Sequence, residues 1–229
     1  MQPEMTIRPI AKIKTDFPTK FGVPRQSGLI ETEATIIFLP EYRNPDALRG
    51  IEEFSHLWLI WQFSCNEEAA EFIPTVRPPR LGGNKKMGVF ATRSPFRPNP
   101  LGLSCVRLLG VEHHPGLGDI LHVSGADLVD NTPIYDIKPY LPIADSKADA
   151  KGGFSDEVKE YRLNVQIDPA ADAYFPPEKL EELTEILASD PRPSYHTDPE
   201  RTYGFPYAGY EIKFKVDGDI LIVTEISKI

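Results

Sequence analysis

Residues 90 to 104 read Phe90-Ala91-Thr92-Arg93-Ser94-Pro95-Phe96-Arg97-Pro98-Asn99-Pro100-Leu101-Gly102-Leu103-Ser104. The three prolines exclude a helix and a central strand, and each pushes the preceding residue towards extended geometry. Apolar runs on either side, Met87–Ala91 and Leu101–Val111, predict two flanking strands. A stiff loop with two arginines between buried strands is typical of a binding site in a β fold. On its own, the stretch is equally compatible with a tight turn that needs prolines.

Charge is distributed unevenly along the chain. The 229 residues carry a formal net charge of −9. Between Pro74 and Gly110 there is no acidic residue, and seven basic residues form what we call the basic island: Arg77, Arg80, Lys85, Lys86, Arg93, Arg97 and Arg107. Without these seven charges the rest of the chain carries −16. A cationic segment in an acidic chain indicates an anionic ligand that is bound locally.

Length and composition predict one large domain, or one medium and one small domain. Hydrophobic residues make up 41% of the chain, and no apolar run reaches the ~18 to 20 residues of a membrane span. The N-terminus lacks the regions of a signal peptide, so we expect a cytoplasmic protein. Cys65 and Cys105 both lie in apolar runs, which predicts buried free thiols in a reducing compartment.

Two further segments of the first 145 residues are informative. The apolar and aromatic run His56–Cys65 predicts a strand buried on both faces. After an Asp-Asn-Thr-Pro turn at residues 130–133, three polar side chains alternate with apolar ones. Because Asp136, Lys138 and Tyr140 share parity, a strand would place an acid, a base and a phenol on one face.

The remainder reads as a smaller unit. Residues 145–156 have the composition of a linker, residues 177–187 predict an amphipathic helix, and residues 207–226 predict a terminal hairpin around Asp217-Gly218. Roughly eight to ten short strands and one helix predict a mainly β domain followed by a small α+β domain. Nucleotide-binding, metalloprotease and hydrolase motifs are absent from the sequence.

Five blocks together resemble the TsaA/TrmO (YaeB-like) family of S-adenosylmethionine-dependent tRNA (adenine-N6)-methyltransferases. They occur in family order: Val23–Gln26, Phe54–Trp58, Arg77–Arg80, Phe90–Gly102 and Asp130–Tyr140. Residues 190–195 and 201–203 resemble the bacterial C-terminal extension of the family. The resemblance therefore covers nearly the whole chain.

The resemblance implies an N-terminal antiparallel β-barrel over residues 1–145, a linker over 146–156 and a small α+β domain over 157–229. It implies a homodimer that methylates N6 of threonylcarbamoyladenosine at tRNA position 37. The residues themselves predict no membrane partner and no metal, because no apolar run is long enough to span a bilayer and His113-His114 has no third ligand at ligand-like spacing. By motif match, S-adenosylmethionine contacts the following residues: Pro24, Arg25, Gln26, Ser64, Cys65, Arg93, Leu103, Ser124, Gly125, Ala126 and Asp127.

The resemblance also directs the roles of the other candidates. We hypothesise that Asp136, Lys138 and Tyr140 orient or deprotonate the acceptor nitrogen, with the base among them unassigned. Asp130 is expected to fix the turn, in which Asn131 tolerates left-handed geometry. The predicted RNA-binding residues are Arg77, Arg80, Lys85, Lys86, Arg97, Arg192, Tyr195, Arg201 and Tyr203.

Two alternatives stay open at this point. The same arginine loop would suit a non-catalytic RNA-binding or regulatory barrel, which would not bind S-adenosylmethionine. A methyltransferase that acts on a free nucleoside derivative is the second alternative. The basic island argues against it, because a neutral small substrate does not need seven cations.

Overall fold

The structure, a computed structural model, describes residues 4–66, 71–78, 85–158, 161–193, 196 and 198–229. In chain order its strands are β1 (Ala11–Lys14), β2 (Glu33–Phe38), β3 (His56–Gln62), β4 (Thr75–Val76), β5 (Met87–Gly88), β6 (Leu101–His114), β7 (Gly118–Ser124), β8 (Pro133–Pro139), β9 (Asn164–Gln166), β10 (Tyr203–Tyr207), β11 (Tyr210–Asp217) and β12 (Ile220–Lys228). Its α-helices are α1 (Pro142–Asp145) and α2 (Pro177–Ala188). The mainly β fold class is confirmed.

The contacts divide the chain into two compact units. The first, which we call the barrel unit, contains Met1–Thr15, Arg25–Glu68 and Pro98–Tyr140. The second unit contains Asp16–Pro24, Ala69–Arg97 and Leu141–Ile229. Residues 90–97, which we call the proline-arginine loop, thus group with the C-terminal part of the chain. The domain boundaries drawn from the sequence, with a linker at 146–156, stay a prediction.

Six antiparallel strands close the barrel in the order β1-β2-β7-β6-β3-β8. The seam between β1 and β8 is short, because only Ala11↔Ile134 and Lys12↔Pro133 pair across it. The interior is filled mainly by aliphatic side chains, among them the fully buried Ile13, Ile36 and Leu121, together with the rings of Phe38 and Trp61. Alternate residues of each strand point into this core, which leaves the other half on the outer face.

Strand β3 shows this alternation and corrects one expectation. Leu57, Leu59 and Trp61 are buried, whereas His56, Trp58 and Ile60 are only half-buried. A strand buried on both faces was therefore the wrong prediction. A continuous apolar run does not distinguish a strand inside a layered sheet from a barrel strand whose outer face carries aromatic residues. The half-buried side chains remain available at the surface.

Gly102, the second residue of β6, occupies a position where the core leaves no room for a side chain. It pairs with Trp61 across β3 and β6. A Cβ atom at Gly102 would lie 2.3 Å from the indole ring of Trp61. Since no real Cβ contact is that short, the large Trp61 side chain and the absent side chain of Gly102 fill one layer of the core together.

The strand expected at Met87–Ala91 is shorter than predicted. Strand β5 contains only Met87 and Gly88, and a 3-10 turn over Val89–Ala91 follows it. Strand β5 pairs with β4 in a two-stranded antiparallel ribbon, with Thr75↔Gly88 and Val76↔Met87 as its rungs. The proline-rich loop is therefore preceded by a turn that Val89 anchors through its buried side chain.

The C-terminal part of the second unit is an α+β structure. Its sheet has the order β10-β11-β12-β9, with β9 parallel to β12 and the other pairs antiparallel. The predicted helix is confirmed as α2, which begins at Pro177 and buries Leu183, Ile186 and Leu187. Aromatic rings dominate the core of the sheet, including Phe205, Tyr207 and Phe214, all of which are fully buried.

The cysteines and the hydropathy give two smaller findings. Cys65 and Cys105 form no disulfide, and Cys65 is exposed whereas Cys105 is partly exposed. The expected burial is wrong for Cys65, because β3 ends at Gln62 and the apolar run continues into a turn. Within the described part of the chain, no helix has both the length and the apolar character needed to cross a membrane.

Candidate functional site

Three of the segments predicted to hold the cofactor meet beside strand β6. The segment 25–28 is tied to β6 by the Cys105 amide, which donates to the Ser27 hydroxyl at 3.1 Å. It is tied to the segment after β7 by the Gly28 amide, which donates to the Gly125 carbonyl at 2.9 Å. The structure therefore brings Arg25 and Gln26, the strand with Leu103, and residues 124–127 into one wall of the barrel unit.

Gly125 is required where this wall turns. Its φ of +82° lies in the left-handed region, and a Cβ would approach the Cα and N atoms of Gly28 to 3.3 Å. Its amide donates to the Thr32 carbonyl at 3.0 Å, and the Thr32 hydroxyl donates to the Ala126 carbonyl at 3.2 Å. Ser124, Gly125 and Ala126 are all buried. Within this segment they act as the frame, and Asp127 is the member with an accessible side chain.

A chain of hydrogen bonds leads from the barrel core to Asp127. The Trp61 indole N–H donates to the Ser104 hydroxyl at 2.8 Å, and that hydroxyl donates to the Asp127 carboxylate at 2.5 Å. Ser104 is completely buried and Trp61 is 6% exposed, whereas Asp127 is half-buried. The network satisfies each buried donor and fixes the carboxylate at the edge of the core.

Sequence reasoning missed Trp61 and Ser104. The only signal available was a hydroxyl residue at a core-facing position of an otherwise apolar strand, flanked by Leu103 and Cys105 on the other face. A buried hydroxyl needs a partner. That requirement predicts a polar neighbour without saying which one.

Strand register places the predicted cofactor and catalytic residues on one face. Ile60 of β3 pairs with Leu103 of β6 on one side and with Asp136 of β8 on the other. Residues directly opposite one another in antiparallel strands project to the same side. With strands 4.7–4.9 Å apart, the Cα atoms of Leu103 and Asp136 are therefore about 10 Å apart across this face.

The next rung along repeats the arrangement. Trp58 of β3 pairs with Cys105 on β6 and with Lys138 on β8. The outer face of β6, β3 and β8 is our name for the half-buried and exposed side chains on these two rungs together with Tyr140, whose amide donates to the His56 carbonyl at 2.9 Å at the start of β3. It combines an apolar surface on β6 and β3 with charged groups on β8. Leu103, which is 56% exposed, forms its most accessible apolar part.

The three predicted catalytic residues follow this face as their parity predicts. The Lys138 ammonium lies 3.0 Å from the Asp136 carboxylate, with side chains 63% and 46% exposed. The Tyr140 ring packs edge-on against His56 at 6.1 Å and tilted against Trp58 at 5.7 Å between centroids. The phenol is thus held by aromatic contacts, while the ion pair stands in solvent.

The four remaining predicted cofactor residues are not part of the three segments that form this wall. Ser64 and Cys65 are exposed in the turn after β3, where the Ser64 amide donates to the Gln62 carbonyl at 2.7 Å. Pro24 is buried and Arg93 is exposed, and both belong to the second unit. For these residues the assignment stays a prediction from the resemblance.

The Asp-Asn-Thr-Pro turn has the expected construction. The Asp130 carboxylate accepts from the Thr15 amide at 3.1 Å and pairs with the Lys14 ammonium at 3.0 Å. Asn131 has a φ of 63°, so the left-handed geometry expected for it is present. The turn is fixed to the end of β1 and sets the start of β8.

The basic residues of the second unit fall into two groups. Arg77, Lys85 and Lys86 are exposed at one end of the β4–β5 ribbon. The Arg97 guanidinium instead donates to the carbonyl of Thr92 at 3.1 Å, and so braces the proline-arginine loop from within. Arg80 lies outside the described residues. The first group presents its charge to a ligand more directly than Arg97 does.

The C-terminal candidates for RNA contact also differ from one another. The Arg192 guanidinium binds the Asp190 carboxylate through two hydrogen bonds of 2.9 and 3.1 Å, and both side chains are 9% exposed. Tyr203 is 7% exposed. This burial argues against direct RNA contact by Arg192 and Tyr203. Arg201 is exposed, with its guanidinium 5.4 Å from the centre of the Tyr203 ring. Tyr195 lies outside the described residues.

Comparison with known proteins gives matches over both parts of the chain. The tRNA-methyltransferase O N-terminal domain family matches residues 12–146, and the TrmO C-terminal domain family matches residues 160–229. The tRNA (adenine(37)-N6)-methyltransferase of Escherichia coli K12 is 40% identical over 216 residues, which cover 90% of this chain and 91% of the relative.

More distant relatives agree with these matches. A probable S-adenosyl-L-methionine-binding protein of Methanothermobacter thermautotrophicus is 38% identical over 144 residues, 62% of this chain and 95% of its own. A crystal structure of TrmO from Pseudomonas aeruginosa superposes with a TM-score of 0.79 at 31% identity, covering 100% of this chain and 99% of that one. Family matches over most of the chain define a two-domain protein of the tRNA-methyltransferase O type. The chain belongs to the TrmO family, and the resemblance inferred from its motifs is confirmed.

Proposed function

We propose that this protein transfers a methyl group from S-adenosylmethionine to N6 of the adenosine at tRNA position 37, and that the acceptor carries the threonylcarbamoyl group. Membership of the TrmO family, whose E. coli member has the adenine-37 activity in its name, supports the reaction. The observation in the structure that carries the proposal is the register of β6, β3 and β8. It sets Leu103 and Asp136 on one rung of the same face.

The wall formed by residues 25–28, 103–105 and 124–127 fits the chemistry of the cofactor. S-Adenosylmethionine supplies an electrophilic methyl group on a sulfonium, together with a carboxylate, an ammonium and an adenine. Arg25 offers a guanidinium with the fork geometry that matches a carboxylate. Asp127, fixed by Ser104, offers a carboxylate to a cationic or hydroxyl group. The exposed side chain of Leu103 offers apolar surface to a base.

The outer face supplies groups suited to the acceptor. The lone pair of the N6 atom in a ureido-like group is delocalised, so methylation requires that its proton be removed and that the nitrogen be aligned with the methyl group. Asp136 and Tyr140 are the oxygen groups on this face that can accept or relay that proton. Lys138 places a cation 3.0 Å from the Asp136 carboxylate and orients it. We assign no base between the two.

The assembly and location that we propose come from the resemblance. We propose a cytoplasmic homodimer. We also propose the domain division at residues 145 and 157, which the ranges of the two family matches support. Sedimentation equilibrium of the full chain measures the dimer, and a monomer at micromolar concentration would contradict it.

The decisive experiment uses two tRNAs, one with and one without the threonylcarbamoyl group at adenosine 37. The protein and S-adenosylmethionine are incubated with each tRNA, and the nucleosides are analysed by mass spectrometry. We expect methyl gain on the modified tRNA alone. Methyl gain on both would remove the threonylcarbamoyl requirement, and failure to bind S-adenosylmethionine in calorimetry would favour a non-catalytic RNA-binding barrel.

A matched pair of variants tests the acceptor side. Asp136→Asn removes a carboxylate that has a lysine partner, and we expect turnover to fall by about 10²- to 10⁴-fold while S-adenosylmethionine still binds. Asp46→Asn removes an exposed carboxylate of the same unit that pairs with Arg49, and turnover should stay unchanged. Equal turnover in the two variants would remove Asp136 from the site.

A further inference from the structure

Two phenylalanine rings in the second unit are exposed although they pack on each other. Phe72 is 57% exposed and Phe90 is 72% exposed. Their ring centroids lie 6.1 Å apart with an interplanar angle of 23°, so the rings are stacked. A stacked pair normally lies in a core or an interface, where it removes large apolar areas from water. Here most of both rings faces solvent.

The ribbon formed by β4 and β5 determines what lies beside the pair. The Val89 amide donates to the Pro74 carbonyl at 3.0 Å, which continues the pairing beyond Thr75↔Gly88 towards Phe72 and Phe90. At the opposite end, Arg77 follows Val76 and Lys86 precedes Met87, so both lie next to the Val76↔Met87 rung. At about 3.3 Å per residue, the aromatic end and the cationic end are on the order of 15 Å apart.

The stacked rings contribute little to holding the ribbon in place. In the described parts of this segment, 71–78 and 85–91, Val89 is the one buried side chain. If the two rings packed against a hydrophobic core, they would be buried with it. Because both rings are exposed, their free faces are not needed for folding and are available to a ligand.

The chemistry around the pair selects a class of ligand. Glu71 directly precedes Phe72, but no acidic residue occurs between Pro74 and Gly110, so the cationic end of the ribbon favours an anionic partner. Exposed aromatic rings on the same surface as cations are the arrangement by which proteins bind unpaired nucleotides, since every base has a face that stacks and every phosphate a charge. A base-paired stem offers phosphates but no open base face.

We propose that Phe72 and Phe90 form a stacking platform for an unpaired base of the anticodon loop, with phosphates farther along the same strand bound by Arg77, Lys85 and Lys86 at the opposite end of the ribbon. This inference rests on the proposed function, because it takes a tRNA as the substrate. It adds the part of the tRNA that the second unit reads: open loop nucleotides rather than the stem.

The test compares two RNAs and two substitutions in the full-length protein without S-adenosylmethionine. One RNA is the hairpin with the anticodon stem and loop, and the other is a duplex of the same stem. Phe90→Leu keeps an apolar side chain but removes the stacking ring, whereas Phe90→Trp keeps a ring. Fluorescence anisotropy should show hairpin affinity about 5- to 100-fold weaker for Leu. Trp should bind within about threefold of the wild type, and duplex affinity should change in neither variant.

Salt dependence separates stacking from charge. Lys86→Ala removes a phosphate contact and should lower the slope of log affinity against log salt by about 1. Phe90→Leu should shift the line without changing its slope. If Phe90→Leu changed the slope, the ring would act by positioning the cations, and this result would contradict the stacking platform.

Three results contradict the inference. One is hairpin affinity of Phe90→Leu equal to that of the wild type, and another is an equal loss of affinity for the hairpin and for the duplex. A change of sedimentation coefficient with Phe90→Leu would show that the rings pack against a second copy instead. Should Phe90→Leu fail to fold, Phe72→Leu makes the same test. Since methylation and S-adenosylmethionine binding of the wild type are measured separately, a failed platform is distinguishable from a failed proposed function.

Discussion

The two units bury polar side chains in different ways. In the barrel unit, hydrogen bonds run from Trp61 through Ser104 to Asp127, whose carboxylate is half-buried. In the second unit, Asp190 and Arg192 bind each other through two hydrogen bonds, and both side chains are 9% exposed. We call the first network open, because it ends at an accessible carboxylate, and the second closed, because it consists of the buried Asp190–Arg192 pair and its neighbour Tyr161.

The difference separates a group that serves a ligand from one that serves the fold. The charges and hydrogen bonds of a closed ion pair are satisfied within the protein, so removal of one partner lowers the free energy of unfolding. An open network fixes an accessible group in an orientation that a ligand can reach. By this criterion Asp127 belongs to a binding site, and Arg192 belongs to the framework that supports Arg201.

The largest expected effect is on the closed pair. Arg192→Ala leaves the buried Asp190 carboxylate without its partner, and we expect the free energy of unfolding to fall by about 3–5 kcal/mol. Urea unfolding followed by tryptophan fluorescence and circular dichroism measures it. The exposed neighbour Arg201→Ala should cost less than about 0.5 kcal/mol. Similar values for the two variants would contradict the closed-pair interpretation.

The buried middle of the open network should give the next largest effect. Ser104→Ala leaves the indole N–H of Trp61 unsatisfied in the core, and the expected cost in unfolding free energy is about 1–3 kcal/mol. Differential denaturation of wild type and variant measures this cost.

Asp127→Asn is the companion variant at the open end. It retains an oxygen that accepts from Ser104, so stability should change by less than about 1 kcal/mol. Calorimetry should nevertheless show S-adenosylmethionine binding weakened by about tenfold or more. A stability loss without a change in affinity would place Asp127 in the framework instead.

A second closed network makes stability depend on alkaline pH. Burial and the hydrogen bond that the Tyr207 hydroxyl donates to Glu182 raise the pKa of Tyr207. Burial alone would lower the pKa of Lys179, but its hydrogen bonds with Asp16 and Glu182 raise it overall. Both groups favour their protonated forms in the folded state. Their contribution is therefore complete below the unfolded-state pKa values of about 10 and is lost as the pH rises further.

Tyr207→Phe tests this dependence. We expect a cost of about 1 kcal/mol at pH 7, from the lost hydrogen bond, and a flatter decline of unfolding free energy between pH 9 and 11 than in the wild type. Urea midpoints across this range measure both quantities. Parallel curves for the two proteins would show that the Tyr207 proton has no part in the alkaline loss.

The smallest effect on stability belongs to the exposed pair on β8. Lys138→Ala breaks an ion pair that stands largely in solvent, so the unfolding free energy should change by less than about 0.5 kcal/mol. The rate of methyl transfer should fall by about tenfold or more, because Asp136 loses the group that orients it. A stability loss as large as that of Ser104→Ala would contradict the conclusion that this ion pair contributes little to folding.

The sequence was most informative where function depends on local periodicity. Parity alone set Asp136 and Lys138 on one face, and the strand register confirms it. The left-handed geometry of Asn131 followed from its place in the turn. By contrast, the burial of β3 on both faces was a wrong prediction, because an apolar run carries no information on how its sheet closes.

What depended on distant pairing was not accessible. Arg192 reads as a loop cation in the sequence, and its burial follows from the left-handed turn at Asp190, whose φ is 53°. The stacking of Phe72 on Phe90 needs the register of a ribbon with two rungs. The path from Trp61 to Asp127 crosses three segments of the chain. In each case the partner is chosen by the fold, and no local rule of side-chain spacing names it.

The short seam between β1 and β8 has a consequence for how the barrel opens. The pairing there has two rungs, against seven between β3 and β6, so fewer hydrogen bonds hold this junction. In native-state hydrogen exchange, the amides of Ile10 and Ile13, which donate to Ile134 and Thr132, should exchange sooner than those of β3. The barrel then opens into a sheet at the junction of β1 and β8. Opening there leaves β6, β3 and β8 paired, so the face that carries Leu103 and Asp136 persists through the fluctuation.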